Sequence, residues 1–517
     1  MKRSMRNFGA LLFAGLWLWA GSGAAFGAGL TLPGVGTRAM SRGGAFVASG
    51  DDQTSQWHNP ANISRLKGLR LLIDGAMLFN PYTFQRAQHP DSGKPFAEIS
   101  NLAGPMPIPF VGLSYDLGSL FLPDNQNLVL SFAVWGPYDG KYQYDKGDDD
   151  STQQNGCSGP NKDKFVCPEN GPQRYGIMRF IPFQVYLGTT LAYGIDFGPV
   201  KVRLGGSLYF VQTEIEQRLA LMLFGGNTGD PNGRSPLLPK NDGVVTIKAT
   251  ESFRPAFNLG LTLELPGGVA IGASYRPGWQ VLSQGQFTEV SLPDDIKSAV
   301  KLSDDRSLTI SFNMPTIIRA GIQWRPTFFP RIDLELAVVY EQWSVHDKLT
   351  LKSDKFTYSI LGSKPEPLGE LIIQREWQDS FSVRAGAQYA ILPDRLFVRA
   401  GFWYETSAIP TNRTNLAGIH GERTGLAAGI EGKFRTGGLE FTIAFTYNTA
   451  LTETLTVKDS KERAVVLAEE GMCETKYPAA EKTNKCIVGN GTYTRSAQMF
   501  MLTLGVAWDP LFARRKK

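Results

Sequence analysis

The chain has 517 residues, 42% hydrophobic and 20% charged, and a net charge of +5 that is small for its length. Part of that charge lies in the first residues and in Arg514, Arg515, Lys516 and Lys517, so no nucleic-acid footprint is read and nucleic acid is not an expected partner. After residue 27 no stretch offers 18 consecutive apolar residues, which excludes a helical membrane protein.

Residues 1–27 read as a secretory signal. Lys2, Arg3 and Arg6 form its basic start and Phe8 to Ala20 its apolar core, with the small residues Ala25 and Gly27 before the cut. The mature chain is then expected to begin at Ala28. Residues 28–66 lack any two-residue period and are rich in Gly and small side chains, including Gly34, Gly36, Gly43, Gly44 and Gly50. A compact plug or a loose tail would both suit that composition.

From residue 67 onward the chain alternates. About fourteen amphipathic runs lie near residues 69–79, 107–117, 127–136, 175–193, 200–223, 244–264, 268–290, 307–325, 331–351, 371–391, 394–407, 422–435, 438–457 and 492–508. In one of them Leu439, Phe441, Ile443, Phe445 and Tyr447 share a face, and Glu440, Thr442, Ala444, Thr446 and Asn448 share the other. Ile332 to Tyr340 against Asp333, Glu335 and Glu341 repeats the pattern, as does Leu396 to Tyr404 against Arg399 and Glu405.

Alternation alone does not say which face is wet. Length and ending do: the runs have roughly the 9 to 11 residues of a tilted membrane strand, and Trp324, Trp343, Trp403, Tyr404 and Trp508 stand at their ends as expected interface anchors. Connections around residues 194–199, 266–267, 392–394 and 436–437 are short, whereas 137–174, 224–243, 352–370 and 458–491 are long and polar. Short turns on one side and long loops on the other describe an all-β transmembrane barrel, spanning residues 67–508 and followed by a basic tail, 509–517. An even strand number leaves both termini in the periplasm. A lumen of this width is more than wall side chains fill and less than an open porin, so something has to occupy it.

Four cysteines fall in two local pairs inside the polar loops. For an exported protein the expected pairing is Cys157 with Cys167 and Cys473 with Cys486, although four cysteines allow three connectivities. Peptide mapping without reductant checks this directly; Cys157 joined to Cys473 would reject local pairing. Neither CxxC spacing nor nearby histidines accompany the cysteines, so no metal site is expected.

The candidate plug carries more specific signals. Gly36-Thr-Arg38-Ala39, Gly43-Gly44-Ala45, Asp51-Asp52 and Asn59-Pro60-Ala61 resemble the hatch of the FadL/TodX family of outer-membrane transporters for hydrophobic compounds. Glu341 to Ser344, Trp377 to Gly386 and Arg399 to Pro410 add to the resemblance, which covers Ala28 to about Trp508. It implies a fourteen-stranded barrel with an amino-terminal hatch, taking up long-chain fatty acids or other hydrophobic molecules by diffusion. It also implies that Ala28, Gly29 and Leu30 lie next to bound ligand, and that Asn59 ties hatch to wall. Around Trp135-Gly136-Pro137 the resemblance implies an inward kink of the third strand and a gap through which ligand leaves into the membrane. Outer-membrane lipid and the barrel-assembly machinery are the expected partners, and a monomer the expected state. The family usually ends on an aromatic residue, whereas Asp509 to Lys517 follow Trp508 here, and the cysteine loops match nothing in it.

Read as residues alone, Asn59-Pro60 is a common turn start, and Trp135-Gly136-Pro137 is a strand that stops. Gly34-Val-Gly-Thr-Arg-Ala39 fits the dinucleotide fingerprint, but no strand precedes it and no crossover helix follows. His58, His89, His346 and His420 lack metal-ligand spacing and no Ser lies in a GxSxG context, so neither a cofactor nor catalysis is expected. Among inward charges, Arg203, Arg384, Arg399 and Glu405 either meet a ligand carboxylate or pair with one another. A porin for polar solutes and a loop-presenting adhesin are the competing functions.

Overall fold

The computed structural model describes residues 32, 34–87, 94–136, 140–144, 154–155, 172–174, 176–222, 242–292, 294–416, 421–462, 465–466 and 487–508. The signal region, Ala28, Gly29, Leu30, Pro137, all four cysteines and the tail from residue 509 lie outside them.

Fourteen long strands form one closed antiparallel sheet. In chain order the first seven are β1 (Leu69–Phe79, resuming at Tyr82–Arg86), β2 (Met106–Asp116), β3 (Gln126–Trp135), β4 (Arg179–Asp196), β5 (Lys201–Met222), β6 (Asp242–Leu265) and β7 (Val269–Arg276, resuming at Trp279–Ser291). The rest are β8 (Ser307–Met314 and Ile317–Trp324), β9 (Ile332–Glu341 and Lys348–Ile360), β10 (Glu366–Gln374 and Ser380–Leu392), β11 (Leu396–Glu405), β12 (Arg423–Thr436), β13 (Leu439–Val457) and β14 (Gly491–Trp508). The barrel closes where β1 meets β14, from Leu69 opposite Trp508 to Phe79 opposite Gln498. Closure leaves no free edge strand, which a bilayer requires of a sheet.

Burial settles which face is wet. In Ile332–Glu341 the apolar Leu334, Leu336 and Val338 are exposed, while Asp333, Glu335 and Glu341 are buried. The same inversion recurs around the wall, with Leu113, Leu191, Leu261, Val383, Phe445 and Leu504 exposed. Apolar side chains outside and polar ones inside suit lipid, not water.

Three expectations need correction, the first being the long connection read at 352–370, which is mostly strand, Lys348–Ile360 and Glu366–Gln374, with a short turn at 361–365. Trp324 and Trp508 are exposed at run ends, but Trp343 and Trp403 are 0% and 2% exposed and point inward. Trp403 shares the parity of Arg399 and Glu405, and Trp343 sits in a short 3-10 turn with its indole N–H on Glu341 at 2.7 Å. The runs at 268–290, 307–325, 331–351 and 371–391 are also broken, at 277–278, 315–316, 342–347 and 375–379. Pro277 and Pro315 lack the ladder donor. Other bonds seal these breaks: Gly278 N–H donates to Thr316 Oγ1 at 3.1 Å, Gln342 N–H to Thr316 O at 2.9 Å, and Arg375 N–H to Asp347 O at 2.7 Å.

Within the ring lies the amino-terminal segment. Helix α1 (Thr37–Ser41) touches β11 to β14 and β1, whereas the 3-10 helix Pro60–Arg65 touches β3 to β6. Contact with opposite arcs of the wall puts residues 34–66 inside the barrel, and nearly all of them are buried. On the long-loop side of this plug the interior is apolar. Phe180, Leu219, Ile247, Phe287, Ile310 and Trp377 are among the buried side chains of one continuous cluster there.

Candidate functional site

The segment 34–66 is seated by close backbone approach and by polar clamps. After α1 the chain reverses through Gly43 and Gly44, at φ 65° and 80°, and Gly44 N–H returns to Ala39 O at 2.9 Å. Only glycine takes two successive left-handed positions without strain. Gly43 then lies against β11, where a Cβ on Gly401 would collide with the Gly43 backbone. A Cβ on Gly260 would likewise strike Asn59 Oδ1, and one on Gly272 would strike Val47 O.

Asn59 caps the 3-10 helix, its Oδ1 accepting the Ala61 N–H at 3.1 Å, with Pro60 at the first helical position where no N–H is needed. Its Nδ2 faces Val47 O at 2.8 Å, Leu261 O at 3.1 Å and Thr262 Oγ1 at 2.9 Å, so one amide links both halves of the plug to β6. Glu335 of β9 accepts the N–H groups of Val47, Ala48 and Ser49 at 2.6, 3.0 and 2.8 Å. Arg38 forks onto Glu431 of β12 at 2.9 and 2.8 Å and reaches Asp51 at 2.7 Å.

The electrostatics of the plug follow from this pairing. Arg38, paired with Asp51 at 2.7 Å, holds that carboxyl well below its usual range. Asp52, farther from Arg38 at 3.9 Å, is pushed up to about 6 by burial. Burial, with Arg319 nearby, pushes His58 down to about 3, so its ring stays neutral.

The inward charges named from sequence are taken. Arg203 pairs with Glu264 at 2.7 Å, Arg384 with Glu405 at 3.1 Å, and Arg399 with Glu431 at 3.1 Å. Two others, Arg276 and Arg319, lie over the Trp57 ring at 3.9 and 5.2 Å. Their parity marked them as inward, but sequence carries no sign of which arginines lack a carboxylate.

Strand β3 stops at Trp135, whose buried ring stacks on Tyr186 at 5.6 Å and meets Tyr209 edge-on at 5.4 Å. Its ladder with β2 runs from Asp116 opposite Val129 to Phe110 opposite Trp135. Among the described residues, Met106–Pro109 pair with β1 but have no partner on the β3 side. Pairing there resumes only at Leu102, whose N–H donates to Gln143 O at 2.7 Å. Pro107 and Pro109 supply no donor in this stretch. Gly136 begins the interval.

The seated plug and the apolar interior beside it stand next to known proteins as follows. Residues 184–493 match the family model described as outer membrane protein transport protein (OMPP1/FadL/TodX). No curated protein matches the chain in sequence. Among solved structures, a Pseudomonas aeruginosa FadL homologue aligns over 93% of this chain and 99% of its own at 14% identity, with a TM-score of 0.64. The P. putida toluene transporter TodX gives 0.54 over 92% and 99%, and the Ralstonia pickettii toluene transporter TbuX 0.52 over the same shares, both at 14% identity. At that identity the likeness establishes the shared fold. With the family model matching more than half of its length, the chain belongs to the OMPP1/FadL/TodX family of outer membrane transport proteins.

Proposed function

We propose that this protein carries hydrophobic molecules, long-chain fatty acids foremost, passively through the outer membrane, and that they leave sideways near β3. The observation that carries the reading is an apolar, aromatic-lined interior ending on a seated plug. Such a lumen favours an apolar molecule over hydrated ions or sugars, because polar groups lose their water without gaining partners. Residues 1–27 are the signal, 28–66 the hatch, 67–508 the barrel and 509–517 the tail. Arg38, Gly43, Gly44, Asn59, Pro60 and Ala61 hold the hatch, and Ala28, Gly29 and Leu30 touch ligand. The toluene transporters among the relatives make an aromatic hydrocarbon the second substrate class.

Cells carrying the protein are expected to take up labelled oleate faster than cells without it, while liposomes bearing it resist swelling in sucrose. Swelling as fast as with an open pore would make a porin the better account. The exit is tested in β2: the double variant Pro107→Val, Pro109→Val returns two donors to the strand bordering the interval. Oleate uptake should fall several-fold with the barrel intact. Unchanged uptake would remove the lateral exit.

A further inference from the structure

Strands β11 and β12 stop short on the long-loop side. β11 ends at Glu405 and β12 starts at Arg423, whereas β10 and β13 on either side of them run on to Glu366 and Val457. The upper part of β10 pairs with Lys348–Tyr358 of β9, and the upper part of β13 pairs with β14 up to Val457 opposite Gly491. Between them the ladders end at Ser382 opposite Glu405 and at Gly425 opposite Ala450. From Ala450 to Val457, at about 3.3 Å per residue, this leaves a notch in the wall roughly 20 Å deep.

The strap that fills the notch, residues 407–416, holds no strand, only the 3-10 turn Thr411–Arg413. Its inner side is apolar: Ala408, Ile409 and Leu416 are 0%, 2% and 3% exposed and belong to the large cluster of the loop-side interior. Scattered bonds tie it down. Ala408 O accepts the Gln378 N–H at 2.8 Å, Asn412 O the Lys461 N–H at 2.7 Å, and Leu416 O the Tyr144 hydroxyl at 3.1 Å.

The outer side of the strap carries an ionic latch. Arg413 meets Glu376 of the β10 break at 2.5 Å, and Lys461, just past β13, meets the same carboxylate at 2.9 Å. Asn415 donates to Glu462 at 3.0 Å. Glu376 stands at φ 49°, a left-handed position uncommon for its residue type, and its N–H and that of Arg375 both go to Asp347 O, at 2.8 and 2.7 Å. Glu376 and Lys461 are half exposed, and pairs of that kind are weak because water and salt screen them. Beneath the strap lies a cavity of about 50 Å³ whose lining includes Ile373, Asn415, Leu416 and Tyr493, so strap and wall are not close-packed there.

A section with a weak outer fastening and no ladder opens more readily than the strands around it. What opening bares is apolar, which an apolar molecule covers and a hydrated solute does not. We propose that residues 407–416 are the lid of an entry between β10 and β13, latched by Arg413, Glu376 and Lys461, under which an apolar molecule passes from outside into the lumen. The proposal rests on the reading of the protein as a carrier of hydrophobic molecules and adds to it the place of entry.

The test is a tether across the lid. Asn412→Cys with Lys461→Cys joins positions whose backbones already meet at 2.7 Å, which puts their Cα atoms at about the 5 Å spacing of paired strands, within reach of a disulfide. After oxidation, cells carrying the double variant should take up labelled oleate at least about fivefold more slowly than cells carrying either single variant treated alike, and reduction should restore the rate. Glu376→Gln, which needs no new bond, should speed uptake about threefold and raise hydrogen exchange of the strap amides in the purified protein, with the ladder amides of β9 and β10 unchanged. Undiminished uptake with the tether formed, as read by mass spectrometry, overturns the entry. Strap amides that exchange as slowly as ladder amides in the unaltered protein, and no faster in Glu376→Gln, overturn the lid. No uptake by the unaltered protein, with strap exchange fast, overturns the transport reading and the entry with it.

Discussion

Removing residues 28–66 is expected to turn a nearly closed pore into one that conducts ions freely in a planar bilayer, while the barrel stays folded. The wall keeps every ladder bond, since strands pair with strands all round the ring and β1 pairs with β14 independently of the plug. What disappears is the material that fills the lumen: α1 against β11 to β14 and the 3-10 helix against β3 to β6. Carboxylates such as Glu335 and Glu431, now satisfied by plug amides and by Arg38, would face water and counter-ions instead. A barrel of this strand number has a lumen wider than its own side chains fill, so conductance should rise at least about tenfold. Asn59→Ala is the milder version, loosening the plug by removing bonds to Val47, Leu261 and Thr262. Each lost bond is worth roughly 0.5 to 1.5 kcal/mol. Single-channel recording decides the matter. If the intact protein already conducts freely and the deletion changes nothing, the plug does not close the pore.

Much of this arrangement was legible as sequence, for a definite reason. A barrel wall shows its inside and outside at alternate residues, so Leu439 to Asn448 announce a strand whatever its neighbours are. Closure and strand number followed from counting such runs. The strand breaks are less visible, because apolar residues stay at odd positions from Val269 through Val281, although the buried positions change from even before Pro277 to odd after Gly278. Trp343 and Trp403 stand at run ends, where interface anchors are expected, although the parity of Trp403 matches the inward Arg399 and Glu405. The lumen chemistry was the least legible part. Parity tells that Arg203, Arg276, Arg319 and Arg399 all point inward, but partnership depends on the register between neighbouring strands, as with Arg203 of β5 and Glu264 of β6. Register of that kind is fixed by the closed ring and leaves no local mark.

Gly401→Ala is expected to unseat the plug without disturbing the wall. The new methyl would fall on the backbone of Gly43, and Gly386 beside it on β10 already lies against Arg42 and Ala45. Backbone meets backbone at this point, so no rotamer change relieves the clash. Overpacking of that kind costs about 1 to 3 kcal/mol, which shifts a seated-to-released equilibrium by roughly 5- to 150-fold. The chain responds where it is least constrained: the wall strand is held by ladders to β10 and β12, whereas the plug is held by a limited set of clamps. Limited proteolysis should therefore cut within residues 34–66 of the variant far faster than in the parent, with the barrel still folded in detergent. Gly75→Ala is the control, since nothing lies within 4 Å of a Cβ there and Gly75 belongs to the same kind of strand. Equal cleavage of Gly401→Ala and Gly75→Ala would mean that the glycine at β11 is not what lets the plug approach the wall.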